Sequence, residues 1–578
     1  MKLFKKRQAE TPPGAIRTSY FGSRGTRLHR IIAAVAGIGF LLFGYDTGVM
    51  GSLLTLPTFI HQFPTMDSTS PHLDAKTKSF HSTVQGTAVA IYEIGCMIGA
   101  LFTMWGGDKL GRRKIIFIGS IIVTIGAILQ CASYSLGQFV TGRVIAGVGV
   151  GFTKATVPML QAECARPERR GALVMLGGAL TTGGIALSYW IDFGFYFVKR
   201  NDSDWRFPVA FQIFFSLLLT CTVMYLPESP RWLIKKGRYD EAAGVFAALE
   251  DVPIDDIYVS QQLMQVKESL MVGQLAQEGI EGEEARRRIA SGDVVLGKEP
   301  PFRKQFALLF TFGKKKHFHR AMLAYSQQIM HQMCGINLIS YYAAYIFQTS
   351  IGMSPLNSRI LAACDGTEYF LASWIAFYTI ERFGRRKLML FGTVGQACTM
   401  AILAGTVYAA SSVKDGGLDK PQAGIAAAVF LFVFNTFFSI GWLGMAWLYP
   451  AEIAPIEIRA ISQGLSTSGN WVFNFLVVMI TPVAFNSIKW RTYIIFACIN
   501  VAMVPSIYFF FPETMGRSLE EIDLIFEDSN PRTPWDVVGI ARRLPRGALD
   551  GVVPGDIELE KEIEHVSVKS LGGATIRS

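Results

Sequence analysis

The chain has 578 residues, half of them hydrophobic and 17% charged, against about a quarter charged in an ordinary soluble domain. A net charge of +10 would suit a nucleic-acid binder, but the basic residues crowd into alternate short loops between apolar runs. Each run is long enough, at about 20 residues, to cross a bilayer, which excludes both a nucleic-acid partner and a water-soluble globular domain.

In chain order, residues 1–28 form a polar tail in which Lys2, Lys5, Lys6 and Arg7 precede an apolar run too long for a cleavable signal. A first half, 29–227, is predicted to span at 31–53, 84–105, 115–135, 138–161, 171–195 and 207–226. Residues 228–318 form a linker with amphipathic helices, where Glu283 faces Arg287 and Glu284 faces Arg288 at i,i+4. A second half, 319–528, spans at 320–348, 358–380, 388–410, 423–448, 464–485 and 492–511, before a polar tail at 529–578. The fold class is therefore an all-α polytopic membrane protein of twelve helices in two six-helix halves. The basic loops place both tails and the linker in the cytoplasm. Lys199, Arg200 and Arg206 are the exception, falling in an outward loop with the sequon Asn201-Asp202-Ser203. The eight cysteines stand singly in or beside apolar spans without disulfide or metal spacing. Neither a nucleotide loop, a catalytic triad nor a metal cluster is present, so no cofactor and no enzymatic activity is expected. The glycines Gly142, Gly147, Gly149 and Gly151 serve close helix packing.

The halves repeat each other. Asp108, Gly111, Arg112 and Arg113 return as Glu381, Gly384, Arg385 and Arg386; Glu163 and Arg170 return as Glu452 and Arg459; Glu228 and Arg231 after span six return as Glu513 and Arg517 after span twelve. Charge retention inside the cell explains the bases but not the matched acids. The fourteen charged residues among them are expected to form a cytoplasmic gate whose acids and bases pair across the halves when the inside is shut. Each exposed pair contributes only about 0–1 kcal/mol, which suits a latch that opens in every cycle. Parallel repeats place a transport site where the halves meet at mid-membrane.

Asp46 lies inside span one and Arg143 inside span four. A carboxylate there costs about 2.5–3.5 kcal/mol and needs a partner or a proton. Pairing with Arg143 favours the charged form and burial the protonated one, so the two are expected to carry proton coupling. Glu93 and Glu368 are secondary candidates without an identifiable partner, and Asp192 is expected at the membrane interface. Amides and aromatic faces recognise polyhydroxylated ligands. Span seven supplies Gln328, His331, Gln332, Asn337, Tyr341 and Tyr342, span ten Trp442 and Trp447, and span eleven Asn470, Trp471 and Asn474.

The paired G-D/E-R/K-x-G-R-R-K strings, Pro227-Glu228-Ser229-Pro230-Arg231, Tyr449-Pro450-Ala451-Glu452 and Gly335-Ile336-Asn337 before Tyr341-Tyr342 resemble the sugar porter family of the major facilitator superfamily. Tyr189-Trp190-Ile191-Asp192-Phe193-Gly194 and the long outer loop after span one resemble its fungal branch. The resemblance implies that Gln332 and Asn337 are core amides, Tyr341 and Tyr342 an aromatic gate, Trp447 the tryptophan under the sugar, Asn474 the span-eleven amide and Phe43 the span-one aromatic. It implies Asp at position 46 in proton-driven symporters and a neutral residue in facilitative carriers. His331 replaces a usual Gln, and Gly177-Gly178 stand where span five often carries Gln, which alters hydroxyl pairing. His331 is read as a neutral hydrogen-bond donor, with a carboxylate ligand or a proton route as the other roles open to it. The expected activity is import of a sugar or polyol with protons across the plasma membrane by alternating access. The alternatives are a non-transporting nutrient sensor and a proton-antiport exporter.

Overall fold

The computed structural model describes residues 17–544 apart from 69, 71, 167–169, 199–201, 281, 293, 295–301, 314, 412–419, 456–457, 518 and 531–532. The sequon at Asn201 lies outside the described residues, as do the side chains of Asp108 and Arg170. Twelve membrane helices are present, in the two halves the repeat demands. In the first half they are Gly25–Gly48 continued by Met50–Leu53, Ala75–Leu110, Arg112–Cys131, Leu136–Glu163, Arg170–Phe195 and Ser203–Val223. In the second they are His317–Met333 continued by Ile336–Tyr345, Pro355–Phe383, Arg385–Ser411, Lys420–Gly441 continued by Met445–Ile453, Arg459–Ser487 and Arg491–Phe510. Ten are long and apolar enough to cross a membrane by composition alone. The other two, spans seven and eight, are a broken helix and a helix carrying Arg359, Asp365 and Glu368. A chain spends apolar length where lipid is the neighbour and polar residues where protein is, so these spans line the interior.

The described ends of the chain and the linker gather at one face, here the terminal face. Trp232, Leu233, Val245 and Leu249 of the linker pack on Leu28 and Ile32 of span one. Linker residues Gly282–Ala290 form a helix in which Arg288 pairs with Glu284 at 2.8 Å. The opposite, distal face is tied across the halves. Arg359 of span eight donates to Thr55 at 2.9 Å, Tyr189 of span five to the carbonyl of Ser340 at 2.8 Å, and Ser68 lies 3.2 Å from the Tyr345 hydroxyl.

The matched loops of the repeat are one physical device built twice. Gly111 and Gly384 both adopt φ +88°, a region that costs other residues their Cβ clearance. A Cβ at Gly111 would also sit 2.7 Å from Glu228 Oε2, and one at Gly384 2.5 Å from Glu513 Oε2. The turn thereby brings a helix N-terminus onto a carboxylate. The N–H of Arg112 donates to Glu228 at 3.0 Å and that of Arg113 at 3.3 Å; those of Arg385 and Arg386 donate to Glu513 at 2.8 and 3.1 Å. Each carboxylate satisfies N–H groups that the first turn leaves free and meets the positive end of the helix dipole. The glycines of span four pack as expected. A Cβ on Gly147 would lie 2.2 Å from the Tyr92 carbonyl, and one on Gly151 2.2 Å from that of Cys96.

Candidate functional site

Span seven is interrupted at Gly335 (φ +106°) and distorted again at Tyr342 (φ −134°) before a π-type turn over Ile346–Ser350. A break inside a membrane frees backbone carbonyls that lipid cannot satisfy. Here Asn500 of span twelve donates to the Cys334 carbonyl at 2.8 Å. Polar side chains on either side of the break bond within the second half. Asn337 donates to Gln332, Asn470 to Gln328 at 2.7 Å, Gln328 to the carbonyl of Ala446, and Tyr342 to that of Val478 at 2.9 Å. Trp442, in the break of span ten, donates to Thr393 at 3.0 Å. His331 stacks edge-on against Phe438 at 5.1 Å and Trp442 at 6.5 Å, and its Nδ1 has no partner.

Phe43, Trp447, Trp471 and Tyr341, four of the expected substrate residues, meet across the halves. Phe43 of span one meets Trp471 of span eleven edge-to-face at 5.9 Å. Between them lies Lys154 of span four, its ammonium 3.2 Å from the Phe43 ring centre, 4.4 Å from that of Trp471 and 5.2 Å from that of Trp447. Tyr341 donates to Glu93 of span two, with Asn474 beside the same carboxylate. Phe43, Trp447 and Trp471 thus gather around Lys154, with Glu93, Tyr341, Asn474 and His331 near it, while Gln332 and Asn337 bond each other and Tyr342 is turned to the backbone of span eleven.

Lys154 is the residue that sequence reasoning passed over. Its signal was available: a second cation beside Arg143 in the same membrane span, where insertion costs about 2.5–3.5 kcal/mol. Glu93, for which no partner was identifiable, finds one in Tyr341 and lies in electrostatic reach of Lys154. Cation–π contact with desolvated rings returns about 2 kcal/mol, so the cage holds the ammonium without meeting its three donors.

Asp46 is 1% exposed and Arg143 2%, yet the expected direct pair between them is not formed. Tyr92 stands between: its hydroxyl donates to Asp46 Oδ2 at 3.3 Å, and the Arg143 guanidinium lies over its ring at 4.6 Å. Arg143 donates instead to the Val89 carbonyl at 2.8 Å, and Asp46 Oδ1 has no partner. The spans carry both charges in register, but a ring at span two fills the gap. Asp192 corrects a second expectation. It is 1% exposed, inside the protein with Arg359 in electrostatic reach, rather than at the interface. Glu368 accepts from Thr436, with Asp365 buried one turn away.

Among the described gate residues, the ion pairs of Arg112 and of Arg385 each lie within one half. Arg112 clasps Glu163 with two bonds at 3.0 and 3.1 Å. Arg385 clasps Glu452 at 2.9 Å and Glu381 at 3.0 Å. Arg231 donates to Ser269 of the linker, Arg459 to the Ala454 carbonyl, and Arg517 to the carbonyls of Ala541 and Leu544. Glu381 approaches across the halves, its Oε1 lying 3.5 Å from where a Cβ on Gly171 would be.

Two six-helix halves with a broken helix and a polar volume at their junction define a membrane transporter of the major facilitator type. The chain belongs to the family described as sugar (and other) transporters, whose model matches residues 31–526, and to its fungal branch. It is 37% identical to the sugar transporter STL1 of Saccharomyces cerevisiae over 94% of this chain and 90% of that protein. It is 30% identical to the low-affinity glucose transporter HXT1 of the same yeast, over 90% and 85%. Its fold matches the proton:xylose symporter XylE bound to 6-bromo-6-deoxy-D-glucose, with a TM-score of 0.66 at 23% identity, over 87% of this chain and all of that one.

Proposed function

We propose that the protein imports a polyhydroxylated substrate, a sugar or polyol, together with protons across the plasma membrane, with both termini cytoplasmic. Phe43, His331, Gln332, Asn337, Tyr341, Tyr342, Trp447, Trp471 and Asn474 bind the substrate between the halves. Asp46 takes up and releases the proton, with Arg143 acting on it through Tyr92. The two terminal-face clasps hold each half rigid while one rocks against the other, and the remaining charges at that face close it in the alternate state.

The observation that carries this reading is the placement of Asp46. It is a fully buried carboxylate with one unpartnered oxygen, one helical turn from Phe43 of the substrate volume. A bare buried charge of this kind is costly, so binding and release of a proton there is coupled to any motion that opens span one to water. Span two joins the two sites, since Tyr92 touches Asp46 and the next residue, Glu93, touches Tyr341.

The test is uptake of labelled glucose, xylose, glycerol and galacturonate in a transporter-deficient yeast at pH 5. Wild type and Asp46→Asn are compared with and without an uncoupler. Loss of accumulation under both treatments is expected. Accumulation that survives both would make Asp46 structural and the protein a facilitator; no uptake with protein at the cell surface would favour export or sensing.

A further inference from the structure

The buried cations elsewhere in the bundle each have an oxygen to donate to. Arg143 has the Val89 carbonyl, Arg320 the Ile453 carbonyl and Asp523, Arg359 Thr55 and the Pro355 carbonyl. Lys316 has Ser529, and Arg112 and Arg385 have Glu163 and Glu452. Lys154 differs. Among the described residues no carboxylate lies within ion-pair distance of it, and its ammonium faces three aromatic rings contributed by spans one, ten and eleven. Its side chain is only partly buried, although it lies midway along a membrane helix. Polar atoms without partners lie around the same volume: Trp471 Nε1, itself on a cage wall, His331 Nδ1, Asn474 Oδ1 and Glu93 Oε2. His331 and Glu93 are both within electrostatic reach of Lys154.

We propose that Lys154 sets the substrate class by binding the carboxylate of an anionic polyhydroxylated molecule, a sugar acid in preference to its neutral sugar. This rests on the reading of the central volume as the transport site. A hydroxyl would satisfy one ammonium donor but leave the charge, whereas a carboxylate supplies oxygen acceptors and the compensating charge together. Glu93 does not fill that role from within, because it stands beyond ion-pair distance and Tyr341 occupies its Oε1. The aromatic faces orient the ammonium and shield it from water, leaving its open side to the ligand. Trp471 Nε1 and the Asn474 amide are placed to meet hydroxyls on the same molecule.

The test uses full-length purified protein in lipid nanodiscs, titrated with galacturonate and glucuronate against galactose and glucose. Binding is read by tryptophan fluorescence, since Trp447 and Trp471 wall the cage, and by thermal shift. Competition for uptake in cells is read in parallel. The acids are expected to bind at least tenfold more tightly than their neutral sugars. Lys154→Gln should abolish that ratio, and Lys154→Arg should retain most of it. If Lys154→Gln does not fold, the wild-type ratio and Lys154→Arg still decide. Neutral sugars bound as tightly as the acids, or an acid preference that survives Lys154→Gln, would overturn the inference while leaving proton-coupled transport intact. Binding of the acids without uptake of any compound would instead overturn the transport reading alone. Binding and uptake of neither acids nor neutral sugars would overturn both.

Discussion

Tyr92 stands between two intramembrane charges, bonding one through its hydroxyl and stacking the other on its ring. Asp46 and Arg143 were legible from the sequence as charges in apolar helices, but a list of charges cannot say what stands between them. The ring of Tyr92 separates them and offers Asp46 its one hydrogen bond at 3.3 Å. Removing a donor from a buried carboxylate costs about 1–3 kcal/mol. Tyr92→Phe is therefore expected to lower proton-driven uptake at least fivefold at unchanged surface abundance. In the Asp46→Asn background the same change should add little, because the carboxylate it serves is gone. Additive losses in the double variant would separate Tyr92 from Asp46. Lys154 makes the complementary point. Its presence was readable, but its meaning came from Phe43, Trp447 and Trp471, three rings nearly 430 residues apart in the chain at their widest.

At the scale of elements, the repeated loop motif was legible as a pattern before its physical reason was visible. The glycine is needed because φ is +88° and a carboxylate fills the space a Cβ would take. The acid after span six closes onto the N-terminus of span three, and the acid after span twelve onto that of span nine. Glu228→Ala is expected to lower thermal stability by about 1 kcal/mol, the usual worth of a lost helix cap. Burial pushes the Glu228 carboxyl above its ordinary value, against the backbone N–H donors of Ser229, Arg113 and Arg112 and the charge of Arg113, which pull it down. The folded protein then holds this proton more tightly than the unfolded chain does. Its contribution to stability is full below the ordinary carboxylate range near pH 4 and is lost as pH rises through the raised value. Glu228→Gln should flatten that part of the melting-temperature profile; an unchanged slope would show that another group sets it.

For the whole molecule, the terminal and distal faces are held differently. The terminal clasps join helices within a half, whereas the distal contacts of Arg359, Tyr189 and Ser68 join the halves. Breaking the latter should shift the population toward a distal-open state, since a two-state equilibrium moves by the difference in contact energy. Arg359→Ala is expected to lengthen the distance between spin labels at Tyr134 and Leu356, both exposed distal residues. The measurement would be made with exposed Cys221, Cys398 and Cys498 replaced. An unchanged distance distribution would show that Arg359 does not latch this face.

The sequence by itself determined the membrane class, the twelve spans and the twofold internal repeat. Apolar length and loop charge are written locally, and a duplicated half repeats its text. The register of the broken helices was not written there, nor was the ring between Asp46 and Arg143, the burial of Asp192 beside Arg359, or the pairing of the described clasps within each half. These depend on which helix faces which across the bundle, and close packing of distant spans settles that only when both halves are folded. The tertiary structure alone turned a lysine of span four into a cation caged by three aromatic rings.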